Sequence, residues 1–573
     1  MKGHLFIVPG DLTQLSAHAI AYSASNALGR DGSLYSAFAT NVPGFAAWYD
    51  RQRPKQGQLR EVGDSFWMPL DTGQMPLGVV TVVSTGGPAS TEDKASIAVR
   101  AALTTAFREL RAVRGDAEHL LIALPAFRMG KGGDRRQRLR SARAQIAAAR
   151  DFLAQHDGAD VAFIPYTTPL YQIFLEARRE GHDPPPADAE RYLDLEQALL
   201  ARQCVVFVGA GLSSGAGLPD WNSLVRRLSD DLGIRWSERH NYLDLAQWYR
   251  ERFGPERLAA VLRDTYTTTA HPTLAHYLLM SLPLRHVITT NYDDLLERAL
   301  SALKRHPVKV IQQADVARTG QDDVFVVKLH GDAALSEEIV LTRDDYDEFF
   351  QRRPAMALLL EGLLLNQTFF FVGYGLRDPN FRQIHGRIVR MLREAQRPAF
   401  ATTFEASGDN GPYLIEQWRK KQLRLLRIAG ESLAEQQHAF LRFLDDLAGR
   451  VSLQMPQLFL APEVQVSHDL ARLRKLLIEE VGSEMEAVAQ RDLSGPSAWQ
   501  DVRYLAEVLE FLTAHGWRPG KGLDLCRLWE RLAAQAPAAS ERRRLLIAAL
   551  GAAEAFVDVE RIRQQLAKLE RKA

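Results

Sequence analysis

The chain has 573 residues, and its 71 Lys and Arg against 70 Asp and Glu leave a formal net charge of +1. That balance excludes a whole-molecule electrostatic attraction to nucleic acid. With 46% hydrophobic and 25% charged residues the composition is that of a globular protein, and the length predicts about three to four domains.

The opening residues, MKGHLFIVPGDL, lack the apolar stretch of a signal peptide, and no run of 18 apolar residues occurs. A cytoplasmic protein without a membrane segment is therefore expected. The two cysteines, Cys204 and Cys526, can form neither a zinc site by themselves nor a disulfide framework, and Cys204 reads as a packed thiol on a buried strand.

Residues 1–180 alternate strands and helices. HLFIVPGD gives a strand and turn; Val79–Thr85 and His119–Ala126 give buried strands, with a helix over Glu92–Arg111 between them. A second helix covers Ser141–Leu153, and Asp160–Tyr166 adds another strand. This is an α/β domain. Six arginines between Arg135 and Arg150 read as a solvated helix face. Three consecutive prolines in GHDPPPAD stop any helix, so residues 181–191 are taken as a linker. The next domain spans 192–450. Residues 451–573 are almost purely helical in pattern and predict a small bundle of amphipathic helices.

Four segments of the 192–450 region carry the chemistry: Val205–Trp221 (VVFVGAGLSSGAGLPDW), Ile288–Asp294 (ITTNYDD), Lys328–Asp332 (KLHGD) and Phe370–Asn380 (FFVGYGLRDPN). Each is an apolar strand entering a turn with Gly, Asn or His, as at the carboxyl edge of an open parallel sheet that holds a nucleotide. Gly209-Ala210-Gly211 lets a backbone approach a pyrophosphate, and a following helix N-terminus favours its charge. The spacing is not the strict G-x-G-x-x-G, because the next glycine is Gly215. Asn291 can position water or a ribose hydroxyl, and Asp293 can grip a carboxamide, although both types are also common helix N-caps. His330, flanked by a strand and Gly331, is a general-base candidate.

Taken in order, these segments resemble the sirtuin superfamily: the GAG-x-S loop with Pro219-Asp220, the T-x-N-x-D segment, the His-Gly pair and the V-G-x-x-L-x-D-P segment. HPTLAHYLL (His271–Leu279) resembles that family's Pro-x-x-Ala-His helix. The resemblance implies a Rossmann-like parallel sheet, with Gly209, Ala210, Gly211 and Ser213 along the phosphates of NAD+. It puts Asn291 and Asp293 at the nicotinamide and its ribose, His330 as the base, and Gly373 and Leu376 at the adenosine half; Pro219, Asp220 and Tyr374 fall in the same NAD-binding set. The departures are informative. The four zinc cysteines of the deacylases are absent between Asn291 and Gly373, so no metal is expected, while Asn222 and Tyr374 replace the usual Arg and small residue.

His330–Phe350 instead resembles bacterial sirtuin-like NADases of antiphage defence, such as the Thoeris effector. Hydrolysis of NAD+ to nicotinamide and ADP-ribose is thus implied, as a gated activity in an oligomer or with a defence-system partner protein. A protein deacylase or ADP-ribosyltransferase, and a non-enzymatic scaffold that binds NAD or ADP-ribose, are the alternatives.

Phe6–Phe38 and Leu121–Gly133 resemble a macrodomain. That resemblance places Asp11 at an adenine amine, Asn26 at a ribose and Gly130, Gly132 and Gly133 at phosphates, for an ADP-ribose-like or cyclic nucleotide signal. The first loop departs from the family pattern, with Gly29 and Gly32 around Arg30-Asp31 in place of three consecutive glycines.

Overall fold

The computed structural model describes residues 2–25, 33–41, 45–52, 61–68, 77–84, 91–116, 118–127, 135–179, 192–235, 241–267, 270–317, 324–335, 339–374, 397–404, 416, 418–420, 422–454, 524–536, 539–553 and 556–570. The chain divides into two compact units, 1–184 with 449–573, and 185–448.

The first unit is built on six strands: β1 (Leu5–Ile7), β2 (Ala19–Ser25), β3 (Ser65–Met68), β4 (Leu77–Ser84), β5 (Leu120–Leu124) and β6 (Ala159–Phe163). Their order is β1-β6-β5-β2-β4-β3, parallel except for β3, which runs antiparallel to β4. The expected α/β pattern is present; the edge strand β3, whose SFWM carries no clear alternation, was not foreseen. Alanines set the packing of its helices. Ala98, Ala102 and Ala106 of Thr91–Arg114 and Ala142 and Ala149 of Arg135–Gln155 are fully buried in one cluster with Ile122, Leu124 and Phe163. Small side chains let two long helices approach closely over a buried sheet.

Within this unit lie three further helices, Leu525–Gln535, Ala539–Ala552 and Phe556–Glu570, around the fully buried Trp529. Tyr166, just past β6, packs against their apolar cluster. These helices, from the 451–573 stretch expected to form a bundle, group with residues 1–184 in one compact unit.

The second unit has seven parallel strands: β7 (Cys204–Val208), β8 (His286–Thr289), β9 (Pro307–Val310), β10 (Val324–Lys328), β11 (Thr368–Val372), β12 (Ala399–Thr403) and β13 (Leu423–Arg427). They are ordered β13-β12-β11-β7-β8-β10-β9. Strands β7, β10 and β11 are buried at every position, which explains their unbroken apolar runs. Phe207 lies against Phe371 with ring centroids 5.4 Å apart. Each such fully buried side chain contributes on the order of 1.5–3 kcal/mol.

The chain leaves β7 for β8 on one side and returns to the other side of β7 at β11. Strand order therefore reverses between β7 and β11, and their carboxyl ends form the topological switch point where open α/β sheets bind ligands. Two glycine turns meet there. The Gly209 N–H donates to the Val372 carbonyl at 2.9 Å and the Gly211 N–H to the Gly373 carbonyl at 3.0 Å. Gly373 has φ +60°, and a methyl on Gly209 would come within 2.4 Å of the Gly373 oxygen and 2.7 Å of the Tyr374 Cα.

Both obstacles are backbone, so Gly209→Ala should destabilise this unit by roughly 1–3 kcal/mol. Gly217→Ala, at φ +81° but facing open space, should cost only the left-handed strain of about 1 kcal/mol. Denaturant midpoints of the two variants check this, and a Gly209→Ala midpoint no lower than that of Gly217→Ala would refute the crowding argument.

Candidate functional site

Four loops leave the carboxyl ends of the adjacent strands β11, β7, β8 and β10. The β8 loop begins at Thr289, whose hydroxyl donates to the Val208 carbonyl at 3.0 Å and accepts the Asn291 N–H at 2.9 Å. This turns Asn291 towards the β7 loop. Its Nδ2 donates to the Gly209 carbonyl at 3.3 Å and to Ser213 Oγ at 3.0 Å. Asn291 is 5% exposed, and its Oδ1 meets no hydrogen-bond partner among the described residues. A buried amide acceptor in that state costs about 1–3 kcal/mol, which marks a position built for something other than packing.

The Ser213 side chain also favours the Asp293 carboxylate, against its burial. Asp293 is buried, and burial pushes its pKa up against the pull of Lys328 and the Leu295 N–H. The Asp293 carboxylate accepts that N–H at 3.1 Å as a local turn bond, while the N-cap position of the helix Leu295–Ala302 is held by Asp294, so neither Asn291 nor Asp293 is the cap.

His330 follows β10. Thr289 and Lys328 are register partners, and Leu329 N–H donates to the Thr289 carbonyl at 2.9 Å. Asn291 and His330 therefore stand two residues beyond a paired rung on neighbouring strands. The two turns are bonded to each other as well, since Ala333 N–H donates to the Tyr292 carbonyl at 3.0 Å. His330 is 4% exposed, with Nε2 3.2 Å from the Tyr346 hydroxyl.

A buried charge cluster underlies these loops and was missed in the sequence. Lys328 Nζ, fully buried, donates to the Asp293 carbonyl at 2.5 Å, to Asp332 at 3.0 Å and to the Tyr292 carbonyl at 3.3 Å. Glu297 lies 3.5 Å away, and Lys309 reaches Asp332 at 2.9 Å. Burial works against the Lys328 cation, but Glu297, Asp332 and Asp293 outweigh it and raise its pKa. Burial raises Glu297 in turn, while Asp332, despite its own burial, is held low by Lys328, the Ala334 N–H and Lys309. The signal was a single lysine inside an apolar strand with an acid four residues on.

The other expected residues that are described have partners within the protein. Gly209 and Gly211 donate their N–H groups to the β11 turn, so these donors fix loop contact rather than face outward. The helix after them is only Ala210–Ser213. Asp220 caps the helix Trp221–Asp231, accepting from Ser223 N–H at 2.9 Å and Ser223 Oγ at 2.6 Å. The Pro219 carbonyl accepts from the Tyr266 hydroxyl at 3.3 Å. Tyr374 turns its ring into the sheet core, 4.6 Å from Phe207. Leu376 lies outside the described residues.

In the first unit, Asp11 is a capping residue. Its carboxylate accepts from Thr13 N–H at 2.9 Å, Thr13 Oγ1 at 2.6 Å, Gln14 Nε2 at 3.1 Å and Asn41 Nδ2 at 3.1 Å. An adenine amine would have to compete with four internal donors there. Asn26, Gly130, Gly132 and Gly133 lie outside the described residues.

Residues 285–426 match the SIR2-like domain. The chain is 33% identical over 193 residues to NAD(+) hydrolase ThsA of Cytobacillus dafuensis, covering 34% of this chain and 39% of that protein. It is 35% identical over 194 residues to NAD(+) hydrolase ThsA of Acinetobacter baumannii (strain 532279), covering 34% and 40%. Defense-associated sirtuin 2 of Bacillus subtilis is 28% identical over 237 residues, covering 39% and 23%. The chain thus spans about two fifths of the length of the ThsA relatives it matches. Among solved structures it is similar to the Oceanobacillus iheyensis macrodomain with ADP, at TM-score 0.27 and 21% identity over 31% of this chain and 95% of that one. Among the described residues no helix is long and apolar enough to cross a membrane.

Two predictions follow from the electrostatics. Lys328→Met leaves buried carboxylates without their cation and should cost about 3–5 kcal/mol, read as a lowered denaturant midpoint. Burial also lowers His276, on the helix Leu274–Ser281, from 6.5 to about 3. Between those pH values the unfolded chain binds a proton that the folded chain refuses, so stability falls as pH drops below about 6.5, by about 1.4 kcal/mol per unit. His276→Gln should flatten this dependence between pH 7.5 and 5.5; an unchanged slope would assign it elsewhere.

Proposed function

We propose that this protein hydrolyses NAD+ at the nicotinamide–ribose bond, giving nicotinamide and ADP-ribose, and serves in antiphage defence. The observation that carries the reading is the buried Asn291 Oδ1, an acceptor held at the switch point beside Asp293 and one strand from His330. The SIR2-like match over 285–426 and the relatives named NAD(+) hydrolase ThsA and Defense-associated sirtuin 2 support it.

In this reading Asn291 Oδ1 accepts a hydrogen bond from a ribose hydroxyl or the attacking water, and Asp293 holds the carboxamide. The C–N bond breaks with its electron pair leaving on nicotinamide. Water oxygen bonds to the ribose carbon, and the water proton passes to His330. Fixed dipoles around a developing oxocarbenium charge, in a site that excludes bulk water, supply most of the rate. Unchecked loss of NAD would kill the host, so the proposal includes a gate set by a nucleotide signal at the first unit, by self-association or by a partner protein.

Chromatography of NAD+ incubated with the full chain tests this. Asn291→Ala and His330→Ala should each lower nicotinamide release by about 10²–10⁴-fold. Release only on addition of an acyl peptide or acceptor protein would point to a transferase or deacylase instead. Tight NAD+ binding with no release, with and without nucleotide signals, would sink the enzymatic reading.

A further inference from the structure

The segment between Ile339 and Arg353 stands on one side of His330 and is braced from outside. Its short helix Arg343–Asp347 opens with a capping box, in which the Asp345 carboxylate accepts the Thr342 N–H at 2.9 Å and the Leu341 N–H at 3.1 Å. Arg250, on the helix Tyr242–Phe253, grips Asp345 at 2.8 Å and Asp344 at 2.9 Å, and Arg343 pairs with Asp244. Tyr346 lies inside this clasp, 6% exposed, with its ring centroid 5.2 Å from that of His330 in an edge-on arrangement. Its hydroxyl is 3.2 Å from His330 Nε2. Val340, Asp345, Phe349 and Arg353 of this segment also line a cavity of about 380 Å³ with Ile311 and Gln312, which neither Tyr346 nor His330 lines.

We infer that Tyr346 is the positioning residue of the His330 base, fixing the plane and the tautomer of the imidazole by its hydroxyl. The inference rests on the hydrolase reading above for its kinetic consequence, and on geometry alone for its structural one. Tyr346 is packed in the buried apolar core of this unit, and its hydrogen bond to His330 adds a direction that apolar packing does not supply. With His330 Nε2–H donating to the Tyr346 oxygen, the Nδ1 lone pair is left to take the water proton, and the opposite tautomer cannot take it there. Tyr346 touches no reacting atom; it acts through His330.

Tyr346→Phe keeps the ring contact and removes only the hydroxyl. In the full chain we expect kcat for nicotinamide release to fall about five- to tenfold, with KM within twofold of wild type and a melting temperature lowered by only about 2–4 °C. Imidazole nitrogen NMR, assigned to His330 by loss of its signals in His330→Gln, should show one tautomer in wild type and a mixture in Tyr346→Phe. An unaltered tautomer pattern in Tyr346→Phe, or a loss confined to KM or to melting temperature, overturns the proposal. If wild type releases no nicotinamide while the tautomer pattern still changes, the hydrolase reading fails and the positioning role stands.

Discussion

The main-chain contact between the Gly209 and Gly373 turns is the constraint on which the second unit depends. Two parallel strands bearing phenylalanines run side by side, and their loops must leave in opposite directions within a few ångströms. Only residues without side chains permit that approach. Once it is made, the Gly209 carbonyl becomes a fixed acceptor for Asn291, and the β8 loop is located relative to β7. The glycines thus organise the site by letting backbone meet backbone.

The charge cluster does for β8 and β10 what the glycines do for β7 and β11. A lysine with no exposure is tolerable only where carboxylates and carbonyls surround it. Lys328 finds Asp332 on its own turn, Glu297 on the helix Leu295–Ala302, and the carbonyls of Tyr292 and Asp293. One ammonium therefore joins the loop that carries Asn291 to the loop that carries His330. Non-directional packing could not specify their relative place so narrowly.

Much of this was legible in the chain itself. The apolar runs VVFV, TFFFV and VFVV end in Gly, Gly and Lys-Leu-His, and such runs become strands buried on both faces whose loops gather at one edge. The engagement of individual polar atoms was not legible. The resemblances point Asp220 and Asp11 at ligands, and only the folded backbone shows Ser223 and Thr13 in reach of their carboxylates. Tyr374 was placed at the cofactor by its neighbours in sequence, whereas its ring follows the apolar side of β11 into the core. Lys328 was overlooked because its partners come from distant segments.

The packing of Tyr166 on the apolar cluster of Leu525–Glu570 bears on how this protein can be dissected. A fragment cut at the three prolines would carry the six strands yet lack the apolar cluster on which Tyr166 rests. The first unit is thus discontinuous in the chain, and keeping it whole means keeping both stretches of the polypeptide.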